Sequence, residues 1–253
     1  MRLAFSIIDW QASAPGLSSA DDWLNWSRVS AAINAEQPLD KCRHLPMMMA
    51  RRLNQGSRLA VDSGLALLRR QSVDAIVFTS RHGELERNLS ILKALSENEN
   101  ISPTDFAMSV HNAAVGSLTI TAKAPLVSTS IAAGMDAFQQ GLIEAKALQV
   151  AGYRNILLVD FDGAIPDFYH PHVSADMPRY PYAVALLLGD GDDMVCESQP
   201  QVESHGEGSP QSLLFLQAFL ARRPRFSLPG ERVDWAWERG MSESSLVLRP
   251  RLV

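Results

Sequence analysis

Residues 74–95 read DAIVFTSRHGELERNLSILKAL, and this stretch decides the fold. Asp74 to Thr79 is a continuous apolar run of strand length, the pattern of a strand buried on both faces, as in a parallel sheet. Ser80-Arg81-His82-Gly83 makes a polar turn. Glu84 to Leu95 then places Leu85, Leu89 and Leu92 on one helical face, with Ile91 and Leu95 alongside. A buried strand turning into an amphipathic helix is the repeating unit of α/β architecture.

Working outward, the same alternation recurs. Upstream, Arg58 to Arg70 carries apolar residues at helical spacing, and the small Ser63 and Gly64 allow close approach to a neighbour. Leu3 to Ile8 reads as a buried first strand, and Ser13 to Asp40 as irregular chain with short helices. Downstream come a short strand, Leu126 to Thr129, and a long Ala- and Gly-rich helix to about Val150, whose small residues predict close packing on several sides. Asn155 to Asp160 and Ala183 to Gly189 are further buried strands. The loop Phe161 to Tyr180 between them is too long for a simple connection and is expected to cover something. These elements predict an α/β domain over 1–189 with a mostly parallel five-stranded sheet and helices on both faces. The acidic, Gly/Ser-rich residues 190–210 read as a mobile linker, and 211–253 as a short appendage with one helix (Leu213 to Ala221) and one alternating strand (Val233 to Trp237).

Composition narrows the class. A chain of 253 residues with 46% hydrophobic and 20% charged residues is ordinary for a folded protein with one large core. A net charge of -5 offers no general attraction to nucleic acid or anionic lipid. Cys42 and Cys196 are too few and too isolated for a disulfide framework, and fit a reduced, cytoplasmic protein. The N-terminal run Leu3 to Ile8 is too short for a secretory signal and is interrupted by Asp9, and no later run has the length of a membrane span.

The common enzyme signatures are missing: no GxxxxGKS/T, no GxGxxG after a strand, no GxSxG elbow. His170, His172 and Asp176 have no specific metal spacing, with Pro171 between the histidines, and read as loop surface. Asp160 and Asp162 follow a strand and read as turn-closing residues, although α/β folds also place functional carboxylates there. Met47-Met48-Met49 reads as adaptable core packing. No metal or cofactor is expected.

One segment is more specific. Ile101 to Ala137 reads ISPTDFAMSVHNAAVGSLTITAKAPLVSTSIAAGMDA. It resembles the β-ketoacyl synthase pattern, in which ISP leads into a VN-x-x-x-G-x-LTI helix, then a Pro-led strand, then T-A-C-x-S-G opening a helix. PMMMARRLNQGSRLAVDSGLALL (46–68), DAIVFTSRHGELE (74–86) and RNILLVDFDG (154–163) look like other segments of those enzymes, in order and at matching spacing. The resemblance covers most of Leu3 to Gly189 and is nearest to the chain-length factors of aryl polyene biosynthesis. It implies a thiolase-like fold, the N-terminal half of a ketosynthase.

Two departures from the enzyme pattern bear on function. The nucleophilic cysteine is replaced by Ile131, with Ala132 or Ala133 as the alternative equivalents, and none of these can attack a thioester. The family's two catalytic histidines lie in its C-terminal half, whereas the only histidine after Gly189 is His205. The resemblance therefore implies a non-catalytic, chain-length-determining subunit. It would pair through the edge strand Pro125, Leu126, Val127, Ser128 and Thr129 with a full-length β-ketoacyl synthase, and an acyl carrier protein would serve the complex. It further implies an acyl-tunnel wall from Leu85, Leu89 and Leu92, with His82, Phe106 and Met108 as further candidates. A leucine stripe at helical spacing is equally the pattern of a protein's own core. The alternative function is an acyl-processing enzyme using Ser128, Ser130 or His111, for which no third triad member is recognisable. With the family's second half missing, the appended helix and strand are expected to cover part of the nucleophile-equivalent helix.

Overall fold

The computed structural model describes residues 1–29, 32–201 and 208–240. Strands β1 (Arg2–Ser13), β2 (Ala75–Thr79), β3 (Val127–Ile131), β4 (Ile156–Asp162), β5 (Tyr182–Pro200), β6 (Arg225–Leu228) and β7 (Val233–Arg239) form one sheet. The helices are α1 (Ala20–Val29), α2 (Met47–Ala50), α3 (Gln55–Arg70), α4 (Leu85–Ser96), α5 (Pro103–Ala107), α6 (Ala113–Ala122), α7 (Ala137–Val150) and α8 (Gln211–Leu220). Strand order is β3-β2-β4-β5-β7-β6, with β1 along the other side of β5.

Alternate residues of the central strands face two separate cores. Ile76, Phe78, Leu157 and Val159 meet Leu59 and Leu67 of α3 and Leu118 of α6 on one face. Ala75, Val77, Ile156 and Leu158 meet Phe138 and Leu142 of α7, Phe215 of α8 and Trp23 of α1 on the other. The close approach predicted for the small-residue helix is present at Gly141, where a Cβ would stand 2.5 Å from Thr79 Cγ2 and 2.7 Å from Leu158 Cδ1. Any side chain there would push α7 off the sheet.

The thiolase-like layering holds, but the sheet is mixed and seven-stranded rather than mostly parallel and five-stranded. Only β2 with β3 and β2 with β4 run parallel, while β5 is antiparallel to β4, β1 and β7. The antiparallel pairing of β5 with β4 already spans Tyr182 to Leu188, and residues 190–200 are not a linker but the second half of β5, paired with β1 on one side and β7 on the other. There the buried Met194 and Cys196 alternate with more exposed neighbours, a period-two signal obscured by acidic and glycine residues. The pairing to β1 shifts register between Phe5 and Ser6, where the Gly191 Cα lies so close to Ser6 that a Cβ would meet its Oγ at 2.0 Å. A glycine at such a bulge marks close backbone approach, not flexibility. Residues 202–207, the rest of the expected linker with His205, and 241–253 of the expected appendage lie outside the described residues. The first strand is also longer than Leu3 to Ile8, continuing to Ser13.

The appendage covers α7 as expected. Phe215 of α8 packs on Phe138 of α7, 5.5 Å between ring centroids, and on Trp237 of β7 at 4.8 Å. Among the described residues no helix is long and apolar enough to cross a membrane.

Candidate partner-facing site

Two neighbourhoods carry the residues singled out by the sequence. The first is the free side of the sheet. β3 terminates the strand order and, among the described residues, pairs only with β2, from Ala75 opposite Val127 to Thr79 opposite Ile131. Its other side offers a row of backbone groups open to pairing. Val127 and Ser128 are exposed and Thr129 half-buried, while Pro125 and Leu126 precede the strand, with Leu126 packed against the core. Ile131 closes β3, and its carbonyl accepts from Ser80 N at 3.2 Å. Ala132 and Ala133 follow, then one 3-10 turn (Gly134–Asp136) and the start of α7. All three candidate positions thus lie at the strand-to-helix junction, where the side chains present are hydrocarbon.

Elements α4, α5, α6 and β3 carry much of the exposed apolar surface. Leu92 and Leu95 of α4, Phe106 of α5, Val110, Ile120 of α6 and Val127 of β3 are all exposed, and they make up nearly half of the large exposed hydrophobics among the described residues. Surface of this kind marks a place where another protein sits. The structure divides the predicted wall residues. Leu92 (56% exposed) and Phe106 (65%) stand open, whereas Leu89 is 8% exposed and belongs to the chain's own interior. Leu85 and Met108 are half-buried, Met108 against the core and Leu85 beside a 250 Å³ cleft with Ser57, His82 and Glu84. The sequence places Leu95 beside the leucine face but not in the wall, and does not single out Val110 or Ile120, since exposed and buried apolar residues look alike at helical spacing.

Helix α4 is fixed mainly by polar contacts near its start. Glu84, buried just before it, bonds Ser57 and accepts from Asn54 Nδ2 at 3.0 Å, and burial raises its carboxyl above the usual range. Arg87 donates to the Asp105 carboxylate of α5, to Arg52 O at 2.9 Å and to Asn54 Oδ1 at 3.4 Å.

His111 and Ser130, named for the alternative function, do meet. His111 Nδ1 lies 2.7 Å from Ser130 Oγ and Nε2 lies 3.1 Å from the Ser80 carbonyl. A carbonyl only accepts, so Nε2 carries a hydrogen and Nδ1 is left to face the hydroxyl. Ser130 Oγ also lies 3.1 Å from the His111 carbonyl. The contacts tie the start of α6, the β2 turn and β3 together, and no carboxylate orients the imidazole. Ser128, on the exposed half of β3, takes no part in this arrangement.

The second neighbourhood is the end of β4. Asp160 and Asp162, expected to close a turn after the strand, are buried within β4 itself. Asp160 accepts from Thr79 Oγ1 at 2.6 Å and from Ser212 Oγ of α8, and Asp162 accepts from Ser80 Oγ at 2.6 Å and His82 N at 2.8 Å. Tyr182 Oη lies 3.3 Å from both carboxyls. Burial raises Asp160 to about 7 and Asp162 to about 6, against the hydroxyl donors that favour the charged form. They floor a 510 Å³ cleft open to solvent, walled by Phe138, Met177 and Gln211 and including Arg81 and His82. Met177 comes from the long loop after β4, so that loop does cover something. His170 in the same loop bonds the Ile165 carbonyl at 2.9 Å. Met47 and Met48 are exposed rather than packed, and only Met49 contacts the core. Among the described residues no cluster of three or more metal-ligating side chains occurs.

Comparison with known proteins gives the following. The family described as "Beta-ketoacyl synthase, N-terminal domain" matches residues 23–238. No curated protein matches the chain. Among solved structures, "Ketosynthase (ApeO) in Complex with its Chain Length Factor (ApeC) from Xenorhabdus doucetiae" contains a chain 57% identical, with a TM-score of 0.90 over 94% of this chain and 100% of that one. "The ishigamide ketosynthase/chain length factor" matches at 15% identity and a TM-score of 0.64, over 79% of this chain and 68% of that one. A ketosynthase from module 6 of the bacillaene synthase of Bacillus subtilis 168 matches at 11% identity and 0.56, over 81% of this chain but only 42% of its own. The last two are similar in fold alone.

Proposed function

This chain belongs to the family of the β-ketoacyl synthase N-terminal domain, and on that premise we propose that it is the non-catalytic, chain-length-determining partner of a complete β-ketoacyl synthase. The observation that carries the reading is the match, over 94% of this chain and all of the other, to a chain of a solved ketosynthase and chain length factor complex.

The site chemistry supports the same reading. Acyl transfer to a synthase requires a thiolate at the strand-to-helix junction, stabilised by backbone amides. Ile131, Ala132 and Ala133 supply none, so the chain takes no acyl group. The open edge of β3 supports pairing with the ketosynthase across a two-fold axis, giving a heterodimer with one active site. The apolar surface of α4 and α5 then closes one side of the acyl tunnel, with Leu92 and Phe106 as wall residues. An acyl carrier protein delivers substrate to the complex, and the product class is that of aryl polyene biosynthesis.

Co-expression with a ketosynthase of that class should give a one-to-one complex that condenses acyl thioesters, while this chain alone should neither condense them nor retain an acyl adduct by intact-mass measurement. An ester or thioester on any side chain of the isolated protein during turnover would overturn the reading in favour of an independent acyl-processing enzyme. The Ser130 and His111 pair is the place where such an adduct would be sought.

A further inference from the structure

Helix α4 presents the tunnel-facing surface, yet it is poorly held by apolar packing, since Leu89 is its single buried residue. What fixes it is polar and lies in its first turn. The Arg87 side chain is 12% exposed and spans three separate segments, with Asp105 on α5, the Arg52 carbonyl after α2 and the Asn54 amide before α3. Asn54 in turn donates to Glu84, which also bonds Ser57 of α3. The guanidinium fork therefore joins the two elements that carry the exposed Leu92, Leu95 and Phe106 to the rigid body behind α3. A planar fork with several acceptors sets direction as well as distance, which a flexible ammonium does not.

We infer that Arg87, clamped to Asp105, is a positioning residue that sets where α4 and α5 stand in the acyl-tunnel wall and thereby the length of the product. This rests on the chain-length reading above. It assigns the length limit to two layers: the apolar side chains that meet the acyl chain, and a polar clamp that does not touch it but decides how far the wall can yield. Loosening the clamp should let α4 move outward under the pressure of a growing chain, since Leu92 and Leu95 in its far half are exposed and no residue there is fully buried.

The test uses the reconstituted complex with its ketosynthase and reads the amount of complex, the total condensation rate and the distribution of product lengths. Arg87→Lys and Asp105→Asn should assemble and turn over as the parent does, while products spread to longer chains. Asp105→Glu, which keeps a carboxylate within reach, should restore the parental distribution. A merely structural role would lower assembly and rate together and leave the distribution unchanged. Should Arg87→Lys not fold, Asp105→Asn carries the test, since the Asp105 side chain is 47% exposed. Leu92→Trp separates the two claims. If it shortens the product while both clamp variants leave lengths unchanged, the positioning role is overturned and the wall stands. If none of the three alters length, the wall reading falls as well, and with it the inference.

Discussion

The end of β4 and the edge at β3 lie in one sheet, linked through β2, but they are finished to different degrees. At β4 the carboxyls of Asp160 and Asp162 are buried and bonded, and the first turn of α8 closes over them through Ser212 and Gln211, which donates to Asp136 at 2.9 Å. At β3 the strand has one neighbour among the described residues, and Leu92 and Leu95 of α4 are exposed. The first region is closed by α8 of the same chain. The second has no such cover among the described residues. The difference teaches that one sheet carries a region whose polar groups are satisfied within the chain and another whose backbone edge and neighbouring apolar side chains stay open.

The pH dependence of folding gives the largest effect expected at the closed region. Asp160 and Asp162 titrate at about 7 and about 6 in the folded chain, against an ordinary 3.8. The folded state thus holds protons that the unfolded state releases. Their contribution is complete below the ordinary value and is lost as pH rises through about 6 and 7. Each pH unit between folded and unfolded values corresponds to on the order of 1.4 kcal/mol. Urea unfolding across this window should show stability falling with pH, and Asp160→Asn should flatten the slope. A slope unchanged in that variant would mean that the carboxyl is not held neutral.

Next in size is Phe215→Ala, which removes the ring shared by Phe138, Phe219 and Trp237. A buried aromatic truncation costs about 3–5 kcal/mol, read as a lower denaturation midpoint with complex formation intact when folded. Val127→Asp is the mirror case. It leaves the folded monomer within about 0.5 kcal/mol of the parent, because Val127 is 47% exposed. A charge buried at the pairing edge should nevertheless weaken association with the ketosynthase by roughly a hundredfold, measured by titration. Retained affinity would place the interface elsewhere. The smallest contrast lies within α4. Leu89→Trp forces a large ring into packed space and should destabilise the chain by about 1–3 kcal/mol, whereas Leu92→Trp should leave stability within about 0.5 kcal/mol and act only on product length in the complex.

How much of this was legible in the sequence follows from the kind of signal each element leaves. Asp74 to Thr79 and Asn155 to Asp160 are readable as buried strands because both faces need apolar residues, and α7 because its Ala- and Gly-rich stretch signals close packing, which the structure places at Gly141 against Thr79. The second half of β5 resembles a loop locally because only one of its faces is buried and its first residues are rich in Asp and Gly. Only its partners β1 and β7 make it a strand. The same locality hid the Arg87 clamp, whose acceptors come from three stretches of chain.

By itself the sequence determined the identity of the core strands and the hydrocarbon at Ile131, since composition and covalent chemistry are local properties. Only the tertiary structure decided that the sheet is mixed, that Asp160 and Asp162 are buried together, and that Leu92 is open while Leu89 is not. Burial and pairing belong to residues brought together from distant parts of the chain, and no local pattern encodes which neighbour arrives.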